Sequence, residues 1–369
     1  MKTTKFYPFF IKKEDGLSLV ELMVAMTIGL FILILIAQVY LAAKNSFSYQ
    51  AVTTKIQENG RYAMDVLSSD MRNLGFQGCG VLSKTNNVVT DSKLSWWLDT
   101  STYIRGYEGV AAPVFLNTNP AYNQTPFTDA IVLLRGDSMS ERMIASHDFA
   151  IKHEFTTTRA HAFQIGEILV ATDCKNTAIF RSSGPAVCAA PCLKVEHDYG
   201  TTDPKNCYFE LGAGCDNPRK NYQFRPGGFL SRLVAAAYYI APATTATATN
   251  KTKSLWVQQL SGSNTGAPSA FEVVEGVENM QLVYGVADAA NDDGSGGTAT
   301  RYMSSTEVDS LGVWNKVVSV RVELLLRSPE LQVVSVPQSY TFNGVATVAT
   351  DKAFRRVYYS TIALRNRTP

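Results

Sequence analysis

From Leu17 to Ala43 the chain is apolar and long enough to cross a bilayer, yet it carries one acid, Glu21, near its start. About 20 apolar residues suffice for a span, so length alone asks for nothing special. The acid does. A carboxylate inside a membrane segment costs at least ~2.5 kcal/mol, and no other side chain of this segment offers it a charge partner. Gly16 stands directly before the apolar run and closes a basic leader with Lys2, Lys5, Lys12 and Lys13, diluted by Glu14 and Asp15. Cleavage after Gly16 would create an α-amine on Leu17, of this chain or of a neighbour, and that amine is the cheapest cation available to Glu21. A secretory signal would place its cleavage site after the apolar run, beside small residues. Ala42-Ala43 offers only a weak version, and an acid within the run argues against it. A plain signal anchor accounts for the length and leaves Gly16 and Glu21 unexplained.

Gly16-Leu17-Ser18-Leu19-Val20-Glu21, followed by Leu22 to Met26, resembles the class III signal of type IV prepilins and type II secretion pseudopilins. The resemblance implies cleavage between Gly16 and Leu17 by a membrane peptidase, N-methylation of Leu17, and a role for Glu21 in subunit assembly. The basic leader places the N-terminus in the cytoplasm and the bulk of the chain outside the inner membrane.

Helical spacing continues beyond the span. Phe47, Val52, Ile56, Ala63, Val66, Leu67 and Leu74 recur on one face, while Lys55, Glu58, Arg61, Asp65 and Arg72 fall elsewhere. No proline lies between Pro8 and Pro113, so a helix from Leu17 to Gly75 is expected, with Gly60 as a soft spot. The organisation read from this is a leader (1–16), a membrane-spanning or filament-core helix half (17–43), an amphipathic helix half (44–78) and a periplasmic head (79–369). A net charge of +2 with 18% charged residues points to no nucleic-acid partner. Arg355-Arg356 with Arg365 and Arg367 form a short basic cluster, read as a solvated strand face.

Six cysteines suit an exported domain: Cys79, Cys174, Cys188, Cys192, Cys207 and Cys215 are disulfide candidates. Their connectivity stays open. Five of them crowd one stretch, so full pairing within the chain would tie Cys79 to that cluster. Cys188 and Cys192 fit a loose zinc spacing, but no second pair completes a metal site. The loop from Asp288 to Gly297 offers Asp288, Asn291, Asp292 and Asp293 as a loose Ca²⁺ candidate. Aligning Gly294 with the EF-hand glycine puts Ala289 at the first ligand position and Thr300 where a bidentate glutamate belongs, which excludes an EF-hand. Of the catalytic motifs, His153-Glu154 lacks the second histidine of a zinc protease, with Thr157 in its place. Gly262 to Gly266 has its serine misplaced for a nucleophile elbow. His147, His153, His161 and His197 show no spacing for a triad and are read as surface or hydrogen-bonded residues. No cofactor and no catalysis are expected.

Past the helix, short apolar runs mark strands: Asp129–Arg135, Ile165–Val170, Phe229–Ile240 and Ser254–Leu260. Ala241 to Lys253 looks like an exposed loop. Val318, Val320, Val322, Leu324 and Leu326 alternate with Ser319, Arg321 and Glu323, the pattern of a half-buried antiparallel strand. Phe354–Leu364 closes the sheet. A long helix followed by strands implies an α+β fold with an antiparallel head, and the resemblance to prepilins implies that this fold is pilin-like.

Glu58 to Ala63, Asp70-Met71-Arg72, Gly75 to Cys79, Val277 to Val286, Trp314 and the stretches around Arg355 and Arg365 resemble PilW-type minor pilins. The resemblance covers both ends of the chain and implies a non-catalytic filament subunit, at or near a pilus tip, serving motility, adhesion or DNA uptake. It implies the prepilin peptidase, other minor pilins, the major pilin, the inner membrane and a tip adhesin as partners. No sequence-specific nucleic acid is among them. A minor pseudopilin of a type II secretion system, similar to GspJ, is the runner-up. A ligand- or adhesin-binding module anchored by a pilin helix is the alternative of another class.

Overall fold

The computed structural model describes residues 18–76, 78, 85–90, 103–109, 125, 127–187, 190–201, 203–217, 219–247, 251–260, 268–288 and 297–364. One α-helix runs from Leu19 to Arg72. By compactness the chain divides into two units, one ending at Val52 and the other beginning at Thr53. In the first unit every large apolar side chain from Leu19 to Leu41 is exposed. Such a surface is unfavourable in water at about 25 cal/mol per Å², and it suits lipid or neighbouring helices. Phe47, expected on the apolar stripe, is exposed as well.

In the second unit the rest of the helix lays one face on the head. Ile56, Ala63, Leu67 and Met71 are buried, while Lys55, Glu58, Arg61, Asp65 and Arg72 are exposed, as the spacing predicts. Gly60 is no soft spot but a contact. A Cβ there would lie 2.5 Å from the Tyr358 ring, whose hydroxyl donates to the Ile56 carbonyl at 3.2 Å. The helix ends at Arg72, short of the expected Gly75; the turn that follows reaches Gly75, which takes φ 66° and donates its N–H to the Leu134 carbonyl at 3.0 Å. A residue without a Cβ tolerates that left-handed turn.

Among the described residues two large sheets build the head, beside two two-stranded ribbons. The longest strand, Phe229–Pro242, organises an eleven-stranded sheet. Its first residues pair with Ile168–Thr172 and Arg142–Asp148, and its later ones with Ala130–Gly136 and Lys253–Leu260, all antiparallel. Two buried clusters lie on it among the described residues. One gathers Ile144, Phe155, Leu169, Phe180, Phe224 and Leu230, the other Val132, Ala237, Tyr239 and Trp256. The second sheet is four-stranded and antiparallel, in the order Arg301–Met303, Val277–Val286, Val317–Arg327, Arg355–Ala363. In Val317–Arg327 the residues Val318, Val320, Val322, Leu324 and Leu326 are all buried and Arg321 is exposed. The expected α+β class and mainly antiparallel head are both present.

Asp70 locks the helix to the larger sheet. Arg135 donates to it at 3.0 Å and the buried Tyr238 hydroxyl at 2.7 Å. Burial, reinforced by the Asp70 charge, pushes the Tyr238 phenol far up, so it remains a donor. Asp70→Ala strands both donors and is expected to cost about 2–3 kcal/mol. Urea denaturation of the full chain in detergent measures this, and Asp70→Asn should recover part of the loss. An unchanged midpoint for Asp70→Ala would remove Asp70 from the interface.

Candidate functional site

The N-terminal helix end carries the residues that the sequence marks for cleavage and assembly. Gly16 and Leu17 lie outside the described residues. Ser18 and Glu21 lie within them, and the Glu21 side chain reaches back to the Ser18 backbone. Glu21 Oε2 accepts from the Ser18 N–H at 3.1 Å, and Ser18 Oγ accepts from the Val20 N–H at 3.3 Å. The first N–H groups of a helix have no partner within it, and the N-terminal end of the macrodipole favours a carboxylate. Glu21 is therefore not without a local partner: the Ser18 backbone, three residues before it, takes one of its oxygens. The pattern Ser18-Leu19-Val20-Glu21 has the spacing of a capping box, a signal the sequence carries openly. One carboxylate accepts several hydrogen bonds, so this bond leaves Glu21 with capacity for an incoming cation.

The remaining candidates scatter. Cys207 and Cys215 form a disulfide with Cα atoms 5.9 Å apart, both donating backbone N–H groups to the segment Asn87–Val88. Cys174 and Cys192 are also disulfide-bonded; Cys79 and Cys188 lie outside the described residues. Asp288 accepts from Thr300 Oγ1 at 2.9 Å and sits 3.5 Å from Arg301. Asn291, Asp292 and Asp293 lie outside the described residues. Among the described residues no group of three or more ligating side chains converges as a metal site.

Three of the histidines, His147, His161 and His197, are buried. His147 and His197 are buried and meet Nε2 to Nε2 at 2.9 Å. The Phe224 N–H donates to His147 Nδ1 at 3.1 Å, so His147 carries its proton on Nε2 and donates it to His197. Phe155 stacks on His147 at 4.1 Å between centroids, and His153, bonded to Asp198, stacks on Phe209. Burial pushes His147 down to about 4 and His197 down to about 3. Neither exchanges protons near neutrality, which suits a core element and not a general base.

Arg355 was expected on a solvated face and is instead buried. It donates to Glu278 at 2.7 and 3.1 Å and to Asp351 at 2.6 and 3.2 Å. Two distant carboxylates draw it in, and neither is apparent from the local sequence. Arg356, beside it, points out, and Arg365 and Arg367 lie outside the described residues.

Residues 237–366 match the family model described as type IV pilus-assembly protein W, and residues 11–37 match the prokaryotic N-terminal methylation motif. The first match takes in the whole four-stranded sheet, and the second the end of the leader with the start of the apolar helix. No curated protein and no solved structure matches the chain. The methylation motif implies processing by a prepilin peptidase and assembly with other pilins, and with the apolar helix it marks a membrane-anchored protein. With that signal at one end and a matching head segment at the other, the two matches support a type IV pilus-related, PilW-type pilin with a prepilin-type signal.

Proposed function

We propose that the chain is a minor pilin that acts mechanically in priming or building a type IV pilus, without catalysis of its own. The prepilin peptidase cuts between Gly16 and Leu17 and Leu17 is methylated. The leader, 1–16, stays cytoplasmic and the head, 79–369, is periplasmic. The segment 17–43 first sits in the inner membrane and then joins the filament core, with 44–78 as the amphipathic half. A bulky head suits a place at or near the tip, beside other minor pilins, the major pilin and a tip adhesin. The observation that carries this reading is the exposed apolar surface from Leu19 to Leu41 whose one charge, Glu21, sits in the first helical turn. Withdrawal from lipid costs little when the same area is re-buried against neighbouring helices.

Glu21 has one oxygen bonded to Ser18, and in the assembled filament it also meets the amine that cleavage frees on a neighbouring subunit. Glu21→Ala is therefore expected to be cleaved as the wild type is and to assemble poorly. Surface piliation and the N-terminal mass of the variant test both halves. Normal piliation would remove Glu21 from docking.

A further inference from the structure

The start of the strand Lys253–Leu260, the turn at Gly276 and the end of the strand Val317–Arg327 enclose a cavity of about 10 Å³, room for one water-sized group. Lys251, Thr252, Lys253, Gly276, Glu278 and Arg327 line it. Gly276 joins the two flanking strands, donating its N–H to the Lys253 carbonyl and accepting from the Arg327 N–H, each at 2.8 Å. The backbone thus holds Lys253 and Arg327 at one place.

The charges there do not balance. Arg355, outside the lining, donates twice to Glu278 and twice to Asp351. Four cations, Lys251, Lys253, Arg327 and Arg355, therefore face these two carboxylates, an excess of two positive charges. Arg327 approaches Asp351 at 3.4 Å with its side chain 11% exposed, and its Nε–H is buried without a partner. Lys253 Nζ donates to the Glu278 backbone carbonyl at 3.3 Å, a neutral acceptor for a charged donor. Lys251 is exposed. A half-buried cation cluster of this kind is stabilised by a charge-assisted acceptor far more than by water.

We propose that this cavity is an oxyanion-binding site, taking one oxygen of a phosphate or carboxylate group between Lys251, Lys253 and Arg327. The volume admits one oxygen and leaves the body of the ligand outside, beside Lys251. The Glu278 carboxylate does not repel it strongly, because Arg355 holds both its oxygens. The site is independent of the pilin reading.

Titration calorimetry on the full chain in a non-ionic detergent, at constant ionic strength set with sodium chloride, tests the site. Inorganic phosphate and acetate serve as separate probes. Saturable binding is expected, weakened about tenfold in the Lys251→Ser/Lys253→Met double variant, the loss of charge-assisted hydrogen bonds. Lys251→Ser alone alters an exposed side chain, keeps the fold, and should weaken binding severalfold. Binding of phosphate without acetate assigns a phosphate ligand. Binding of both assigns the shared oxyanion chemistry, which an acidic side chain also supplies. No saturable binding of either anion, or equal affinity in wild type and both variants, overturns the site.

Discussion

Arg355→Met is expected to lower the unfolding free energy of the full chain in detergent by about 3–5 kcal/mol, the usual cost of breaking a buried ion pair by removing one partner. The Arg355 side chain is 6% exposed and holds Glu278 and Asp351 together across the four-stranded sheet. Its removal leaves Asp351 with the longer contact to Arg327 and the Ala353 N–H at 3.1 Å. It leaves Glu278 with no side-chain donor at comparable distance among the described residues. Arg355→Lys should recover little, because an ammonium cannot offer two paired N–H groups to each of two carboxylates. The Arg355 backbone is also fixed, its N–H donating to Gln338 Oε1 and its carbonyl accepting from Gln338 Nε2. Substitution of the side chain therefore tests charge pairing on a strand that stays in place. A urea midpoint and slope equal to wild type would show that the pairs contribute nothing.

Acid should loosen the head through His147 and His197. Both are held neutral by burial, His147 down to about 4 and His197 down to about 3, while an unfolded histidine titrates near 6.5. Between those values the unfolded chain binds more protons, so stability falls as the pH falls from about 6.5 toward 4. For His147 the shift corresponds to about 3 kcal/mol over that range. The two rings share a hydrogen bond and titrate as a pair, so their contributions do not simply add. Asp129 works in the opposite sense. Burial, opposed by the Leu282 and Gly109 N–H groups, raises it to about 6. Stability from its protonated form is therefore present at low pH and lost as the pH rises through about 6. The informative quantity is thus the difference from a variant lacking one histidine. Between pH 7 and pH 4 the wild type should lose about 3 kcal/mol more than His147→Gln. Parallel pH profiles for the two proteins would rule out the buried pair as the acid-sensitive element.

Much of this fold is written in local pattern. The alternation from Val318 to Leu326, the apolar runs of Ala130–Gly136 and Phe229–Pro242, and the helical spacing from Ile56 to Leu74 each report burial directly. The hairpin Ser339–Phe342 with Val345–Val348 is also legible in local pattern. Asn343 and Gly344 both take positive φ, 49° and 71°, the turn that Asn-Gly between alternating residues signals. The same holds for Ser18 and Glu21. What could not be read is what long-range contact decides. His147 meets His197 across fifty residues of chain, and Arg355 meets Glu278 across seventy-seven. Gly60 looked like a weakness because the Tyr358 ring it receives lies on the last strand. The site was legible in part: the order of Gly16, Leu17 and Glu21 announces the signal, whereas the cation cavity depends on strands that only the fold brings together.

The most direct measurement is mass spectrometry of the N-terminal peptide of the protein isolated from cells with an active prepilin peptidase. The expected peptide begins at Leu17 and carries one added methyl group. A peptide that still begins at Met1 and runs through Gly16 would contradict the entire account of Glu21 and the filament.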